Sequence, residues 1–265
     1  MDRPFRLLFI GDVVGPAGRA AVQALVPQLR RELALDAVIA NGENSADGGF
    51  GATPETVATL LAVVDCITLG DHAFDRKEIG PALDSEPRII RPLNFEGEHP
   101  GRGYATFEAA GVRVGVANLL GKLFMRPAVR SPYAAADEAA EALGAAGAAF
   151  IVVDMQAEAT SEKQGMGWHL DGRAAAVLGT HTHVPTADLR ILPGGTAFAA
   201  DVGMTGHRDG IIGFEREPFL RMMMTGERPG PLRPGEGHAG LDAVLLQVDT
   251  TSGRALSIER IYREA

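Results

Sequence analysis

A single cysteine, Cys66, stands in 265 residues, so neither a disulfide framework nor a thiolate metal cluster is available. Flanked by Asp65 and Ile67 in an apolar stretch, it reads as a buried, inert thiol. Long apolar runs are missing too. None approaches the roughly 20 residues that a membrane span needs, and Met1-Asp2-Arg3-Pro4 lacks the basic-then-apolar layout of a secretory leader. The expectation is a cytoplasmic protein with no membrane partner. Positive charge is also scarce: 25 Lys and Arg stand against 34 Asp and Glu, for a formal net charge of −9. That argues against duplex nucleic acid as a partner, because such binding needs a basic surface to displace counterions. Carboxylates that held cations would nevertheless reverse the local potential where an anionic substrate sits. What is present in quantity is apolar residue, 46% of the chain, enough for a substantial core. With no internal repeat and no linker, one domain over 1–265 is expected.

Several short apolar runs end in Gly, Asp, Asn or His. Phe5 to Ile10 leads into Gly11-Asp12, Ala37 to Ala40 into Asn41-Gly42-Glu43-Asn44, and Cys66 to Leu69 into Gly70-Asp71-His72. Phe150 to Val153 leads into Asp154-Met155-Gln156, and Ala174 to Leu178 into Gly179-Thr180-His181-Thr182-His183. Helical spacing lies between the first three runs, over Gly18 to Leu33 and Thr53 to Val63, and an Ala-rich helix is expected over Ala134 to Ala146. Thr53-Pro54 supplies a cap and a first turn. Alternating strands and helices imply parallel strands with right-handed crossovers, whose ligands bind beyond the carboxyl ends of the strands. Elsewhere hairpins are expected: Tyr104 to Ala109 with Val112 to Val116, Leu189 to Leu192 with Ala197 to Ala200, and Ala243 to Val248 with Ala255 to Ile261. Glu227 to Gly240, rich in Pro and Gly, reads as an exposed loop. A mixed β sandwich flanked by helices accommodates both kinds of segment.

His181-Thr182-His183 is the sharpest local feature, since two imidazoles at i and i+2 on an extended segment approach one cation, or two neighbouring ones, from the same side. Alone it is weak. Its weight comes from Asp12, Glu43 and Asp71-His72, which likewise follow apolar runs. Carboxylates with imidazoles suit Mg, Mn, Fe or Zn, and a shared carboxylate bridges ions roughly 3.5–4 Å apart. The competing reading makes Asp12 and Glu43 mere caps of the helices that follow.

The order Gly11 to Gly15, Asn41 to Asn44, Gly70 to Asp75, Ala157 to Lys163, Gly179 to Val184 and Asp201 to Gly206 resembles the YmdB-like branch of the calcineurin-like metallophosphoesterases. The resemblance covers most of the length. It implies an α/β fold, a four-layer αββα sandwich of mixed sheets, and two divalent or trivalent metal ions, Fe or Mn before Mg or Zn. The implied substrate is a small phosphodiester, with 2′,3′-cyclic and also 3′,5′-cyclic nucleotides in view. Position by position, Asp12 and His183 serve one metal, Asp71, Gln156 and His181 the other, and Glu43 bridges. Asn44 is a ligand or a contact to the phosphate, and His72 is the general acid. Two positions depart from the family pattern: Asp71 replaces an asparagine, and Gln156 replaces the histidine usual before Ala-Glu-Ala-Thr. Both changes touch the second metal and favour harder, oxygen-preferring cations. Gln156 as a spectator is the alternative, leaving that ion more water and lower affinity.

The mechanism so implied is attack by a metal-bound hydroxide, with His72 protonating the departing ribose oxygen. Asp75, three residues on, either orients that ring or is a solvated turn residue. The competing function is a metal- or nucleotide-binding regulator with little turnover. Asn94, Asn118 and Asp201 to Gly206 are candidates for base and sugar contacts, and homo-oligomerisation stays open.

Overall fold

The computed structural model describes residues 3–227 and 230–265. Met1 and Asp2 of the N-terminal stretch, and Arg228 and Pro229 of the Pro/Gly-rich stretch, lie outside the described residues.

The chain runs β1 (Phe5–Ile10), β2 (Asp12–Val13), α1 (Gly15–Glu32), β3 (Ala37–Asn41), α2 (Pro54–Leu61), β4 (Cys66–Thr68), α3 (Gly80–Ser85), β5 (Ile89–Ile90), β6 (Tyr104–Ala109) and β7 (Val112–Leu120). It continues α4 (Pro132–Ala145), β8 (Phe150–Gln156), α5 (Thr160–His169), β9 (Ala176–Thr180), β10 (Arg190–Ile191), β11 (Ala197–Ala199), β12 (Met204–His207), α6 (Arg216–Thr225), β13 (Ala239–Asp249) and β14 (Arg254–Glu264).

Two mixed sheets result. The larger is ordered β2-β12-β13-β1-β3-β4-β5, with β14 also paired to β13. Within it β1, β3, β4 and β5 are parallel, and β13 is antiparallel to β1 and to β14. The smaller is ordered β10-β11-β9-β8-β7-β6, with β7, β8, β9 and β11 parallel and a hairpin joining β6 to β7.

Side-chain alternation turns these sheets into layers. Phe5, Leu7 and Phe9 of β1 enter a core shared with Val114, Val116, Val152 and Leu178 of the other sheet. Leu8 and Ile10 point the opposite way, onto Val22, Val26 and Leu29 of α1. On the far side of the smaller sheet, Val153, Met155 and Val177 meet Ala135, Ala139 and Leu143 of α4 and Met166 of α5. The order of layers is therefore helix, sheet, sheet, helix, the αββα sandwich that the family resemblance implied. Each large side chain so buried contributes about 1.5–3 kcal/mol.

Local signals act as expected at α2, where the Thr53 hydroxyl accepts from Thr56 N at 3.2 Å and the Thr56 hydroxyl accepts from Thr53 N at 2.9 Å. α1 begins three residues before the expected Gly18, because Gly15 takes φ +59° and Pro16 fits the first turn. The residue before it is Val14, with no side-chain cap. Asp12 thus does not cap that helix. The expected loop over Glu227 to Gly240 ends early, since Ala239 and Gly240 already belong to β13 and pair with β12 and β14. α5, α6 and β12 were not anticipated; α5 in particular carries little apolar periodicity. No helix among the described residues is long and apolar enough to cross a membrane.

Candidate metal centre

The parallel strands deliver their following residues to one end of both sheets, and glycines let the chains meet there. A Cβ on Gly11 would overlap the Gly203 carbonyl, and one on Gly70 would overlap the Gln156 amide and the Glu43 carboxylate. Asp12, Glu43, Asn44, Asp71, Gln156, His181 and His183 all converge, and all but Asp71 and His181 are buried.

On one side, the Asp12 carboxylate accepts from His181 N through Oδ2 at 3.2 Å. Its Oδ1 lies 3.7 Å from His183 Nε2 and has no hydrogen-bond partner among the described residues. Asn44 Nδ2 sits 3.2 Å from His183 Nε2 and 3.3 Å from Glu43 Oε1, while Asn44 Oδ1 is buried without a partner among the described residues. His183 Nδ1 faces the Ile212 carbonyl at 2.9 Å. That bond places the proton on Nδ1 and leaves the Nε2 lone pair facing Asp12. On the other side, ligand atoms of Glu43, Asp71 and His181 lie within 4.8 Å of one another. Gln156 spans them: its Nε2 donates to Glu43 Oε1 and to Asp71 Oδ1 at 3.3 Å, and its Oε1 accepts from Asp71 N at 2.9 Å.

The histidine turn is strained, with φ +100° at His181 and +65° at His183, a conformation costing about 1–3 kcal/mol per residue unless its surroundings hold it. Thr182 between them is held. Its N–H and hydroxyl both donate to Asp201 Oδ2, at 3.1 and 2.7 Å, and that oxygen also accepts from Lys163 Nζ at 2.9 Å. Lys163 and Asp201 are both 1% exposed. Beneath the centre, Asp154 accepts from Asn41 Nδ2 at 2.9 Å, from the Thr180 hydroxyl at 2.7 Å and from the Thr68 hydroxyl. It so ties the ends of β3, β4 and β9 to β8, and Asn41 Oδ1 in turn accepts from Glu43 N at 3.1 Å.

Burial pushes Asp12 above the ordinary carboxylate range, and pushes Glu43 well above it with the neighbouring Asp71 charge adding to the effect. Burial also raises Asp71, but His181 and His72 more than offset it, leaving a net lowering. His181 shows the converse: burial pulls it down, yet Asp71, Asp12 and Glu158 carry it above its usual value. Asp154 is raised to about 7 by burial. Concentrated, desolvated carboxylates with two orphaned oxygens constitute a site that a hard cation fits, because a cation satisfies both the charge and the bare lone pairs.

The centre floors a cleft of about 1140 Å³ whose walls include Phe50, Phe124, Arg126, Phe214 and Arg233. His72 lines it, with its ring 4.9 Å from that of Phe50. Its Nδ1 donates to Asp75 Oδ2 at 2.7 Å, and its Nε2 lies 3.8 Å from Asp71 Oδ2, so Asp75 orients the ring rather than standing free. Gly48 also lines the cleft. The expected base and sugar contacts are not there. Asn94, Asn118 and Asp201 are buried: Asn94 bonds Leu120 through N–H and carbonyl, and Asp201 serves the histidine turn. The walls, Lys163 and Asp154 were missed. Lys163 and Asp201 stand 38 positions apart with no periodic signal between them, and the walls are irregular loops and α6.

Comparison with known proteins identifies the family. The model of the YmdB-like protein family matches residues 8–261. A 2′,3′-cyclic-nucleotide 2′-phosphodiesterase of Bacillus subtilis is 45% identical over 97% of this chain and 96% of its own. The crystal structure of a hypothetical protein from Thermus thermophilus superposes with a TM-score of 0.90 at 42% identity, over 98% of this chain and 99% of that one. A novel phosphatase of Mycoplasma pneumoniae superposes at 0.88 and 31% identity, over 98% and 94%.

Proposed function

The chain belongs to the YmdB-like family, and from that premise we propose that it is a metal-dependent phosphodiesterase acting on 2′,3′-cyclic nucleotides, with 3′,5′-cyclic nucleotides as further candidate substrates. The observation that carries the reading is the pair of buried, partnerless oxygens, Asp12 Oδ1 and Asn44 Oδ1, beside converging carboxylates at the floor of a cleft. Asp12, Glu43, Asn44 and His183 would hold one ion, and Glu43, Asp71, Gln156 and His181 a second, with Fe or Mn as the ions of choice. Bound cations would supply Lewis acidity, neutralising phosphate charge and lowering the pKa of water.

The remaining work falls to the chain's own groups. Asn44 lies where it could ligate or touch a phosphate oxygen. His72 is the proposed acid: Asp75 holds Nδ1–H, so Nε2 is the atom available to pass a proton to the leaving ribose oxygen. Phe50, whose ring is tilted 57° against it at 4.9 Å, packs beside the ring in that pose.

The test is hydrolysis of 2′,3′-cyclic AMP by the full chain. Activity should vanish on chelation and return with Mn²⁺ or Fe²⁺. His72→Ala should lower kcat about 10²–10⁴-fold at unchanged metal content, and should spare an aryl diester whose leaving group needs no proton. Undiminished turnover after chelation would refute the metal-dependent reading, whereas nucleotide binding without hydrolysis under every metal would favour the regulatory one.

A further inference from the structure

The two halves of the centre differ in how their polar atoms are satisfied. Around Gln156 the assignment of amide ends is set by its neighbours. Oε1 faces the Asp71 N–H at 2.9 Å, a position an NH₂ group could not occupy without opposing two donors. Nε2 is thereby turned inward, bonded to Glu43 Oε1, 3.3 Å from Asp71 Oδ1 and 3.5 Å from His181 Nδ1. These three residues are the ones whose ligand atoms cluster within 4.8 Å. The amide nitrogen has no lone pair to give, its electrons being delocalised into the carbonyl, but it has two hydrogens to offer to acceptors. It is wedged there: the side chain is fully buried, and the missing Cβ of Gly70 makes the room.

We propose that the Gln156 amide is a built-in stopper of the second cation position, so that the chain holds one ion tightly at Asp12, Glu43, Asn44 and His183 and admits a second only when the amide swings away. The proposal rests on the metal-dependent reading above and makes its two halves unequal. For Gln156 to become a ligand, Oε1 must turn through the space that Nε2 fills, and the Asp71 N–H then loses its acceptor. Asn44 faces no such cost. Its amide also lies between carboxylate and imidazole, but its Oδ1 has no partner, so turning that oxygen onto a cation breaks no bond on the oxygen side.

A stopper and a ligand respond oppositely to removal, which gives the experiment. The full chain and its Gln156→Ala variant are stripped with chelator and titrated calorimetrically with Mn²⁺ alone. The expected result is one tight equivalent in the parent and a second equivalent bound at least about tenfold tighter in Gln156→Ala, on the scale by which outer partners tune metal affinity. Gln156→His, which swaps the N–H donors for a nitrogen lone pair, should likewise hold two ions and show the exchange-coupled Mn(II) spectrum of a pair. Weaker second-site binding in Gln156→Ala would make Gln156 an ordinary ligand and overturn the proposal, as would two equally tight ions in the parent, although both results would leave the metal-dependent reading intact. Failure of both proteins to bind any Mn²⁺ would instead overturn that reading.

Discussion

The half of the centre built on Asp12, Asn44 and His183 and the half built on Asp71, Gln156 and His181 share Glu43, yet they stand in opposite hydrogen-bonding states. In the first, two oxygens are buried with no partner, a condition costing about 1–3 kcal/mol per group unless a ligand relieves it. In the second, the amide of Gln156 faces Glu43, Asp71 and His181, and the carboxylates accept from within the chain. The lesson is that a converging set of ligand types does not define a metal site. What distinguishes a receptive cation site from a closed polar network is whether the lone pairs are still unspoken for.

That comparison breaks first at Asp12. Asp12→Ala removes the carboxylate with the bare oxygen and should abolish the tight equivalent of Mn²⁺, with kcat/KM for 2′,3′-cyclic AMP falling more than about 10⁴-fold, beyond the share that a proton-transfer group supplies. Retention of one tight equivalent would show that the first ion does not sit there. Lys163→Met comes next and acts on both halves together. It leaves Asp201 as an uncompensated buried charge under the turn that carries one histidine to each half. The expected loss of stability is about 3–5 kcal/mol, measured by urea denaturation, accompanied by weaker binding at every Mn²⁺ site. A variant that lost stability but kept its metal affinity would mean that Thr182 needs no such anchor.

The sequence shows the ligands of both halves alike, and the reason is physical. Asp12, Glu43, Asp71, Gln156 and His181 were legible because each follows an apolar run at the carboxyl end of a strand, and parallel sheets gather such ends. The four layers followed from the family resemblance; the alternation that builds them, with Phe5, Leu7 and Phe9 of β1 sent one way and Leu8 and Ile10 the other, was not read in advance. The state of Gln156 was not, because it depends on where the Asp71 N–H points, a matter of loop geometry after Gly70. Nor were the tertiary partners: Lys163 meets Asp201, and Asp154 meets Asn41 and Thr68, across separations that no local pattern marks. Asn94 and Asn118 went astray because a lone asparagine reads equally well as ligand contact or as backbone tie. Asn94 proves to be the tie.

The floor beneath both halves offers the smallest and most graded test. Asp154, fully buried, has its carboxyl raised to about 7 by burial, whereas in the unfolded chain it returns to roughly 3.9. A group whose folded value is raised contributes stability that is complete below the unfolded value and is lost as pH climbs through the folded one. Between pH 4 and pH 7, therefore, Asp154 tilts the stability of the metal-free chain downward by at most about 1.4 kcal/mol per pH unit. Asp154→Asn carries no titrating proton, and its oxygen can keep the Asn41 and Thr68 bonds while its amide donates to the Thr180 hydroxyl. Urea midpoints taken across that range should show the parent losing ground to the variant as pH rises. Parallel profiles would mean that Asp154 is ionised throughout, held so by its three donors, and that the shared floor adds its negative charge to both halves alike.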